Sequence, residues 1–509
     1  MRNILFILLF VSFISKGQLH DLKQNLSDSN LIVDFFDVNV NSMDNLNSKD
    51  SVSTWIKFAP DLVFSITEHK PFNQTGLSIN LGFNKIEKKG FKWGGNFNFR
   101  SGLTSQGSIP YFSDPQSRAL SIQKLKEPVF KEPSNIYFDI NALMYYNYRN
   151  ISLFAGIDKQ NDGFSSRSIF GSSYGISSPF ARMEIKFNEA FSFNLRQDVL
   201  REKIGNHFEP KGKVTHSFLY NHKGKSKFQV RLFESVIYQI KDTLYNRGFE
   251  VEYLNPFLFF RPQEYNIGSA DNILLGTEFQ YSFKERLTKK GKYSTKVYTQ
   301  LLIDDFLLSA FRARNGWWAN KYGFNLGLST SFDKKDTLGK FTSKKSYTLD
   351  FTLMRPYIFS QTNPGIVYGN QGLPISHPLG SNFVELFQRF EWTPKNHNVR
   401  FDAFLQAYIK GTDTLGLKTT TYGGDIYKSY SKHPYEYNNR IGQGITLRGI
   451  QLGTRFSYIN LGLKSIQNLI FYIEPRYRFL FFENIRQTDL FVTIGIQSSL
   501  WNNMDRLNY

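Results

Sequence analysis

Three stretches of the sequence carry side chains suited to recognising a ligand. The candidate binding residues are Arg261, Glu264, Asp271 and Asn272 in the first stretch, Asp304, Asp305, Arg312, Trp317 and Trp318 in the second, and His377 and Asn382 in the third. Aromatic rings stack on the apolar faces of sugar rings, while carboxylates, amides, guanidinium groups and imidazoles bind hydroxyl groups. The same composition fits loops that brace one another as a plug, with Trp317 and Trp318 in an interfacial aromatic girdle.

Motifs for catalysis or metal binding are weak in this sequence. Gly171–Gly175 matches the nucleophile elbow G-x-S-x-G, but it lies in a Ser/Gly-rich stretch without the strand-to-helix setting that the motif needs. Ser121–Lys124 matches S-x-x-K without its companion motifs. The eight histidines are scattered and cysteine is absent. We therefore expect no enzymatic activity, no metal site and no cofactor.

The chain is basic, with 62 Lys and Arg against 43 Asp and Glu, a formal charge of +19. Its basic runs, 85–92 and 284–292, fall in predicted turns rather than on one helix face, so we do not expect a nucleic-acid partner. The positive charge is compatible with attraction to lipid phosphates or acidic polysaccharide.

Alternation of apolar and polar residues dominates the rest of the chain and predicts β-strands. In residues 398–410, Phe401, Leu405 and Ile409 share one face, whereas Asp402 and Gln406 share the other. Aromatic residues make up 17% of the composition. An apolar outer surface with aromatic girdles around a polar interior would account for both features, and it is typical of a transmembrane β-barrel.

Segments with this alternation recur along the chain. We predict strands near residues 58–67, 76–84, 91–99, 136–147, 151–158, 180–187, 191–198, 214–221, 226–234, 273–283, 293–304, 323–332, 346–354, 383–392, 398–410, 445–458, 467–480 and 489–501. From the third strand onward, short connections alternate with long ones, namely 100–135, 159–179, 199–213, 235–272, 305–322, 355–382 and 411–444. This pattern predicts an all-β, outer-membrane barrel of about 18 antiparallel strands with long extracellular loops.

The N-terminus predicts export. A short basic start precedes an eleven-residue apolar run, Ile4–Ile14, and Ser15 and Gly17 form a small-x-small cleavage site. We predict a signal peptide over 1–17, a periplasmic segment over 18–57 and the barrel over 58–509. Without cysteine there is no lipid-modified N-terminal Cys, so the barrel itself would hold the protein in the outer membrane.

The sequence resembles the capsule-assembly Wzi family, especially its Bacteroidetes branch, which includes the gliding-motility RemB-like proteins. The resemblance lies in the order and spacing of three motifs, RPQEYNIGSADN, DDF with RARNGWWANK, and NQGLPISHPLGSNF. They cover about residues 255–390. The resemblance implies a barrel of about 18 strands and a lectin-like, non-catalytic role, in which extracellular loops hold capsular polysaccharide or exopolysaccharide.

Three functional hypotheses follow. The leading one is an outer-membrane barrel that binds or helps assemble surface polysaccharide, with outer-membrane lipid as its other partner. The second is an accessory component of gliding-motility, export or surface-adhesin machinery. The third is a diffusion porin, in which lumen-facing charges would set selectivity: Arg400, Asp402, Glu474, Arg476 and Arg478.

Overall fold

A computed structural model describes most of the chain between Ser51 and Arg506. The described residues are 51–67, 72–86, 91–101, 136–160, 162–165, 167–172, 177–204, 207–223, 227–240, 248, 250–255, 260, 271–288, 291–335, 341–394, 399–413, 420–460, 467–482 and 485–506. The predicted signal peptide lies outside them, as does most of the predicted periplasmic segment.

Antiparallel β-strands make up nearly all of the regular structure. The strands are β1 Ser51–Thr67, β2 Phe72–Ile86, β3 Phe91–Ser101, β4 Ile136–Tyr148, β5 Ile151–Asp158, β6 Ser178–Lys186, β7 Phe191–Ile204, β8 His207–Lys223, β9 Lys227–Gln239, β10 Asn272–Ser282, β11 Arg286–Thr288, β12 Gly291–Ile303, β13 Tyr322–Lys335, β14 Phe341–Met354, β15 Gly369–Asn370, β16 Leu373–Pro374, β17 Phe383–Pro394, β18 Val399–Thr412, β19 Ile445–Asn460, β20 Gln467–Phe482 and β21 Ile485–Arg506. A short helix, α1, spans Leu308–Arg312, and 3₁₀ turns lie at Val251–Leu254, Pro364–Ile366 and Tyr430–Lys432.

The strands close into a barrel. Each pairs with its neighbour in the chain, and β1 pairs with β21, from Ser51 opposite Arg506 to Thr67 opposite Asp489. β10 and β11 both pair with β12 and form one interrupted strand, while β15 and β16 form a separate small hairpin. The described residues thus contribute eighteen barrel strands, which confirms the predicted number, and each of the eighteen predicted segments falls on one of them.

Burial along the strands is inverted relative to a soluble sheet. On β18 the buried side chains include Asp402, Gln406 and Lys410, while Ile409 on the opposite face is exposed. Large apolar residues face outward on other strands too, such as Leu326 and Leu452. An apolar exterior around a polar interior is the arrangement expected of a barrel in a lipid bilayer.

Several of the buried charges on the inner wall form ion pairs. Arg196 Nη2 lies 2.8 Å from Asp198 Oδ1, and Arg476 Nη2 lies 2.7 Å from Glu474 Oε1. Arg400 Nε lies 3.1 Å from Asp402 Oδ2. Pairing of this kind offsets the cost of removing each charge from water.

Cross-strand tyrosines cover glycines on the inner wall. Tyr298 lies opposite Gly327, and Tyr408 lies opposite Gly449. A Cβ at either glycine would come within 2.3 Å of the tyrosine ring, so glycine leaves the space in which the ring lies flat against the neighbouring strand.

The connections follow the predicted alternation with one correction. Residues 199–213 were expected to form a long loop, but residues 199–204 extend β7 and residues 207–213 extend β8, with Ile204 paired opposite His207. The apolar–polar alternation weakens in this polar stretch (VLREKIGNHFEPKGK), although the backbone of its described residues continues the ladder. β1 also begins at Ser51, before the strand predicted from residue 58.

Three long connections fold into the barrel and build an apolar core against its wall. The core includes Ile169 and Phe170 from connection 159–177, Ile358, Phe359, Val367, Tyr368, Ile375 and Leu379 from connection 355–382, and Ile426 from connection 413–444. These residues pack on wall residues such as Phe233, Leu302 and Phe383. Tyr368 Oη also donates to Phe170 O at 2.7 Å, and Ser172 N donates to Ile375 O at 2.9 Å.

In the described part of the chain, no helix has both the length and the apolar composition that a membrane-spanning helix requires.

Candidate functional site

The connection between β12 and β13, residues 304–321, is closed at its base by backbone and ionic contacts. Asp304 N donates to Lys321 O at 3.0 Å, and Lys321 N donates to Asp305 O at 2.8 Å. The buried Lys321 ammonium lies 2.8 Å from Asp305 Oδ2 and 3.9 Å from Asp304 Oδ2. Two of the predicted binding carboxylates therefore anchor the loop that carries the tryptophans.

Asp304 is the more deeply buried of the two carboxylates. Its Oδ2 accepts a hydrogen bond from Phe359 N at 2.9 Å, which ties the loop to connection 355–382. Burial raises the pKa of Asp304 to about 7, and the nearby Lys321 opposes that rise. Asp305 is about half exposed and can contact solvent.

Trp318 stacks against residues of a second connection, 413–444. Its ring centroid lies 4.5 Å from that of His433 with 23° between the planes, and 4.9 Å from that of Tyr430. Lys321 Nζ lies 4.3 Å from the centroid of the Tyr430 ring. The two connections therefore share one aromatic cluster.

Backbone pairing joins the same two connections. Trp318 N donates to Glu436 O at 3.1 Å, and Asn439 N donates to Gly316 O at 2.9 Å. Arg355, at the end of β14, donates from Nε to Asn320 O at 3.2 Å, from Nη2 to Trp317 O at 3.1 Å and from Nη1 to Asn439 O at 2.6 Å. One buried guanidinium thus holds both connections in register.

Trp317 donates its indole N–H to Glu436 Oε1 at 2.8 Å, at an exposed position. This hydrogen bond is the main cause of a lowered pKa at Glu436, and contacts with His433 add to it. Glu436 is therefore a carboxylate, and its second oxygen lies 3.2 Å from His433 Nε2.

Two further tyrosines complete this surface. Tyr435 and Tyr437 flank Glu436 in the chain and are 55% and 50% exposed. The aromatic surface, as we use the term, comprises Trp317, Trp318, Tyr430, His433, Tyr435, Glu436 and Tyr437. Exposed rings beside a fixed carboxylate provide a face for stacking on a sugar ring and an acceptor for its hydroxyl groups.

His377 and Asn382 are fully buried. His377 Nε2 is 2.8 Å from Glu385 Oε2, which also accepts from Arg167 Nε at 3.0 Å. Asn382 donates to Tyr422 O at 3.2 Å and to Gln443 O at 3.0 Å, and it accepts from Gly442 N at 2.8 Å. Their side chains therefore contact other parts of the protein, as the plug interpretation expects.

The first predicted stretch is only partly described, because Arg261 and Glu264 lie outside the described residues. Asp271 is buried and accepts from Tyr253 Oη at 2.7 Å, and Asn272 donates to Ile366 O at 3.0 Å. Arg312 is exposed, at the end of α1. The structure thus brings Asp304, Asp305, Trp317 and Trp318 together, and it places Asp271, Asn272, His377 and Asn382 in the interior.

Sequence reasoning missed the residues that connection 413–444 contributes to the surface. The stretch Tyr430–Tyr437 combines three tyrosines, a histidine and a glutamate, so the criterion applied to the other stretches would have selected it. Arg355 gives no such signal, because its role depends on three backbone carbonyls from distant segments. Among the described residues, no group of three or more His, Asp or Glu could hold a metal ion.

The chain matches no protein-family model and no curated protein. Among solved structures it is similar to Wzi of Escherichia coli, described as an outer membrane protein involved in group 1 capsule assembly and a carbohydrate-binding β-barrel, with a TM-score of 0.50. The identity is 16%, and the match covers 86% of this chain and 83% of that one. The shared feature is the fold.

Two other solved structures have lower TM-scores. OccK2 of Pseudomonas aeruginosa, solved with glucuronate, gives 0.45 at 9% identity, over 89% of this chain and 98% of that one. OprD of the same organism gives 0.43 at 8% identity, over 88% and 96%. The architecture of this chain is that of an outer-membrane β-barrel, as predicted.

Proposed function

We propose that this chain is a non-enzymatic outer-membrane barrel whose aromatic surface binds capsular polysaccharide or exopolysaccharide at the cell exterior. The observation that carries the proposal is the joining of the half-buried rings of Trp317, Trp318 and Tyr430 with the exposed Glu436 carboxylate. The surface lies on connections 304–321 and 413–444, at the barrel end that bears the long connections, which is extracellular in barrels of this type.

The fold likeness to a carbohydrate-binding barrel is compatible with this proposal. Exposed rings are costly in water unless a partner covers them, and a polysaccharide presents many sugar faces in a row. Asp305 adds a second exposed carboxylate next to the surface. The interior residues Asp271, Asn272, Asp304, His377 and Asn382 would support the loops that present it, rather than contact the glycan.

A retention assay tests the proposal. Mature protein refolded in detergent is immobilised and incubated with polysaccharide extracted from the surface of the source cells. We expect retention by the wild type and loss with Trp317→Ala/Trp318→Ala. Trp392→Ala is the matched control, because Trp392 lies on β17, outside both connections of the aromatic surface. Equal retention by all three proteins would contradict the proposal.

The inward-folded connections argue against the diffusion-porin hypothesis, because their apolar residues occupy interior space beside β9, β12 and β17. The gliding-motility hypothesis and membership of the Bacteroidetes branch stay predictions from the sequence motifs. A deletion strain compared with wild type for surface polysaccharide and colony spreading separates the roles: loss of polysaccharide alone supports the proposal, and loss of spreading alone contradicts it.

A further inference from the structure

The segment Phe306–Arg314, which contains α1, has an exposed apolar face. Leu307, Leu308 and Phe311 are 47%, 50% and 48% exposed. Leu308 and Phe311 are three residues apart on α1, so they lie on the same side of the helix. Such a cluster is expected where a membrane or another apolar surface covers it.

This face continues the outer surface of the barrel. The rings of Phe306 and Phe311 lie 6.2 and 6.0 Å from the ring of Tyr322, the first residue of β13. Tyr322 shares the alternating outward face of β13 with Leu326, which is exposed, whereas Gly323 and Asn325 between them are buried. The apolar face is therefore contiguous with the lipid-facing band and separate from the lumen.

The same segment ends in two exposed arginines. Arg312 and Arg314 follow the apolar residues directly, and residues 306–314 contain no acidic side chain. Guanidinium groups bind phosphate oxygens through paired hydrogen bonds. Apolar residues followed by arginines match the profile of a bilayer interface, with acyl chains below and phosphates above.

We propose that Phe306–Arg314 docks into the outer leaflet of the membrane, with Leu307, Leu308 and Phe311 among the acyl chains and Arg312 and Arg314 on the phosphates of a phosphorylated lipid. The loop is thereby held from two sides, by the bilayer outside and by Arg355 inside. This assigns Arg312 to lipid contact instead of the glycan contact predicted from the sequence, and it does not depend on the glycan proposal.

Site-directed spin labelling tests the apolar half of the proposal. Because the chain contains no cysteine, Leu308→Cys gives a single labelling site. Leu452→Cys, exposed on the outward face of β19, is the lipid control, and Ser431→Cys, exposed in connection 413–444, is the water control. In phosphatidylcholine vesicles containing lipid A, we expect the label at position 308 to be accessible to oxygen and shielded from a nickel chelate, as at position 452.

Bound lipid tests the charged half. In detergent with added lipid A, native mass spectrometry measures how much lipid each protein retains. We expect Arg312→Gln/Arg314→Gln to lower the apparent affinity by roughly fivefold for each arginine removed. The control Lys432→Gln/Arg440→Gln also removes two exposed charges, but from connection 413–444, and should retain lipid A as the wild type does.

Folding of every variant is checked by the migration of unheated samples in gel electrophoresis, and only folded proteins are compared. The proposal is overturned if the nickel chelate reaches the label at position 308 as readily as it reaches the label at position 431. Unchanged lipid A retention in the arginine double variant also overturns it.

Discussion

The indole ring of Trp318 and the imidazole ring of His433 lie nearly parallel, with their centroids 4.5 Å apart. The two residues are more than a hundred positions apart in the chain and lie on different connections, so the contact joins connections 304–321 and 413–444. Glycan binding should therefore depend on residues of both connections.

Trp318→Ala should weaken retention of the surface polysaccharide. The change removes both a stacking face and the support of His433 and Tyr430, a loss on the order of 1 kcal/mol, or roughly fivefold in affinity. Titration of the immobilised barrel with the polysaccharide measures it. The Trp392→Ala protein is the control, and an equal affinity for the two variants would argue against the aromatic surface as the binding site.

Arg355→Met should loosen connections 304–321 and 413–444 together. It leaves the carbonyls of Asn320, Trp317 and Asn439 without their buried donor, and each costs about 1–3 kcal/mol if no other group replaces it. Limited proteolysis of the folded barrel should then cut within both connections faster than in wild type. Arg440→Met, at an exposed position, should leave the digestion pattern unchanged.

The closure of connection 304–321 should depend on pH through Asp304. Burial raises its pKa from an ordinary value of 3.8 to about 7. A carboxyl group whose pKa is raised in the closed state stabilises that state while the group is protonated. The stabilisation is complete below the ordinary pKa and is lost as the pH rises through about 7. The loop should accordingly be more mobile at pH 8 than at about pH 5.

The anisotropy of a fluorescent label on Ser309→Cys, an exposed position, reports this motion. Asp304→Asn keeps an acceptor for Phe359 N but cannot titrate, so its anisotropy should stay constant across the same range. If the labelled protein with Asp304 intact gave the same flat profile, the predicted linkage would be wrong.

Arg167→Met should release connection 159–177 from the barrel wall. The Arg167 guanidinium binds the Glu385 carboxylate through two hydrogen bonds, and Glu385 also contacts His377 and Gln406. Removing one partner of a buried pair costs about 3–5 kcal/mol, because the other charge stays buried without its counter-charge. Planar-bilayer recordings should then show larger or more frequent conductance steps than the wild type.

The double variant Arg167→Met/Glu385→Gln should recover part of this loss, since it leaves no unpaired carboxylate at that position. Lys186→Met, which removes a mostly exposed lysine at the opposite end of the barrel, is the control. Identical recordings for Arg167→Met and Lys186→Met would show that this ion pair does not hold the connection in the interior.

The barrel itself could be predicted from sequence because alternation is a local signal. In β18, the polar residues from Asp402 to Lys410 indicate which face of the strand points inward. The stretch 199–213 shows where this fails: once strands extend beyond the lipid, neither face needs to be apolar, and the periodic signal disappears although the hydrogen-bonded ladder continues.

The site was harder to predict, because it depends on contacts between connections. Trp317 and Trp318 were identified by residue type, but nothing local indicates that Trp318 stacks on His433. Likewise, His377 and Asn382 have the residue types of a binding site, while their hydrogen bonds to Glu385, Tyr422 and Gln443 place them in the interior. Residue type alone does not distinguish a ligand contact from a structural one.

The interior contacts also constrain how this chain can reach its native state. Ser172 Oγ donates to Ser376 O, and Arg167 binds Glu385, across separations of 204 and 218 residues. Part of the support for the first inward connection therefore comes only from the second half of the chain, and the seam between β1 and β21 joins the two ends of the ring. Contacts of such long range make folding slow, so we expect an insertion intermediate whose connections still lie outside the lumen and whose ring is still open.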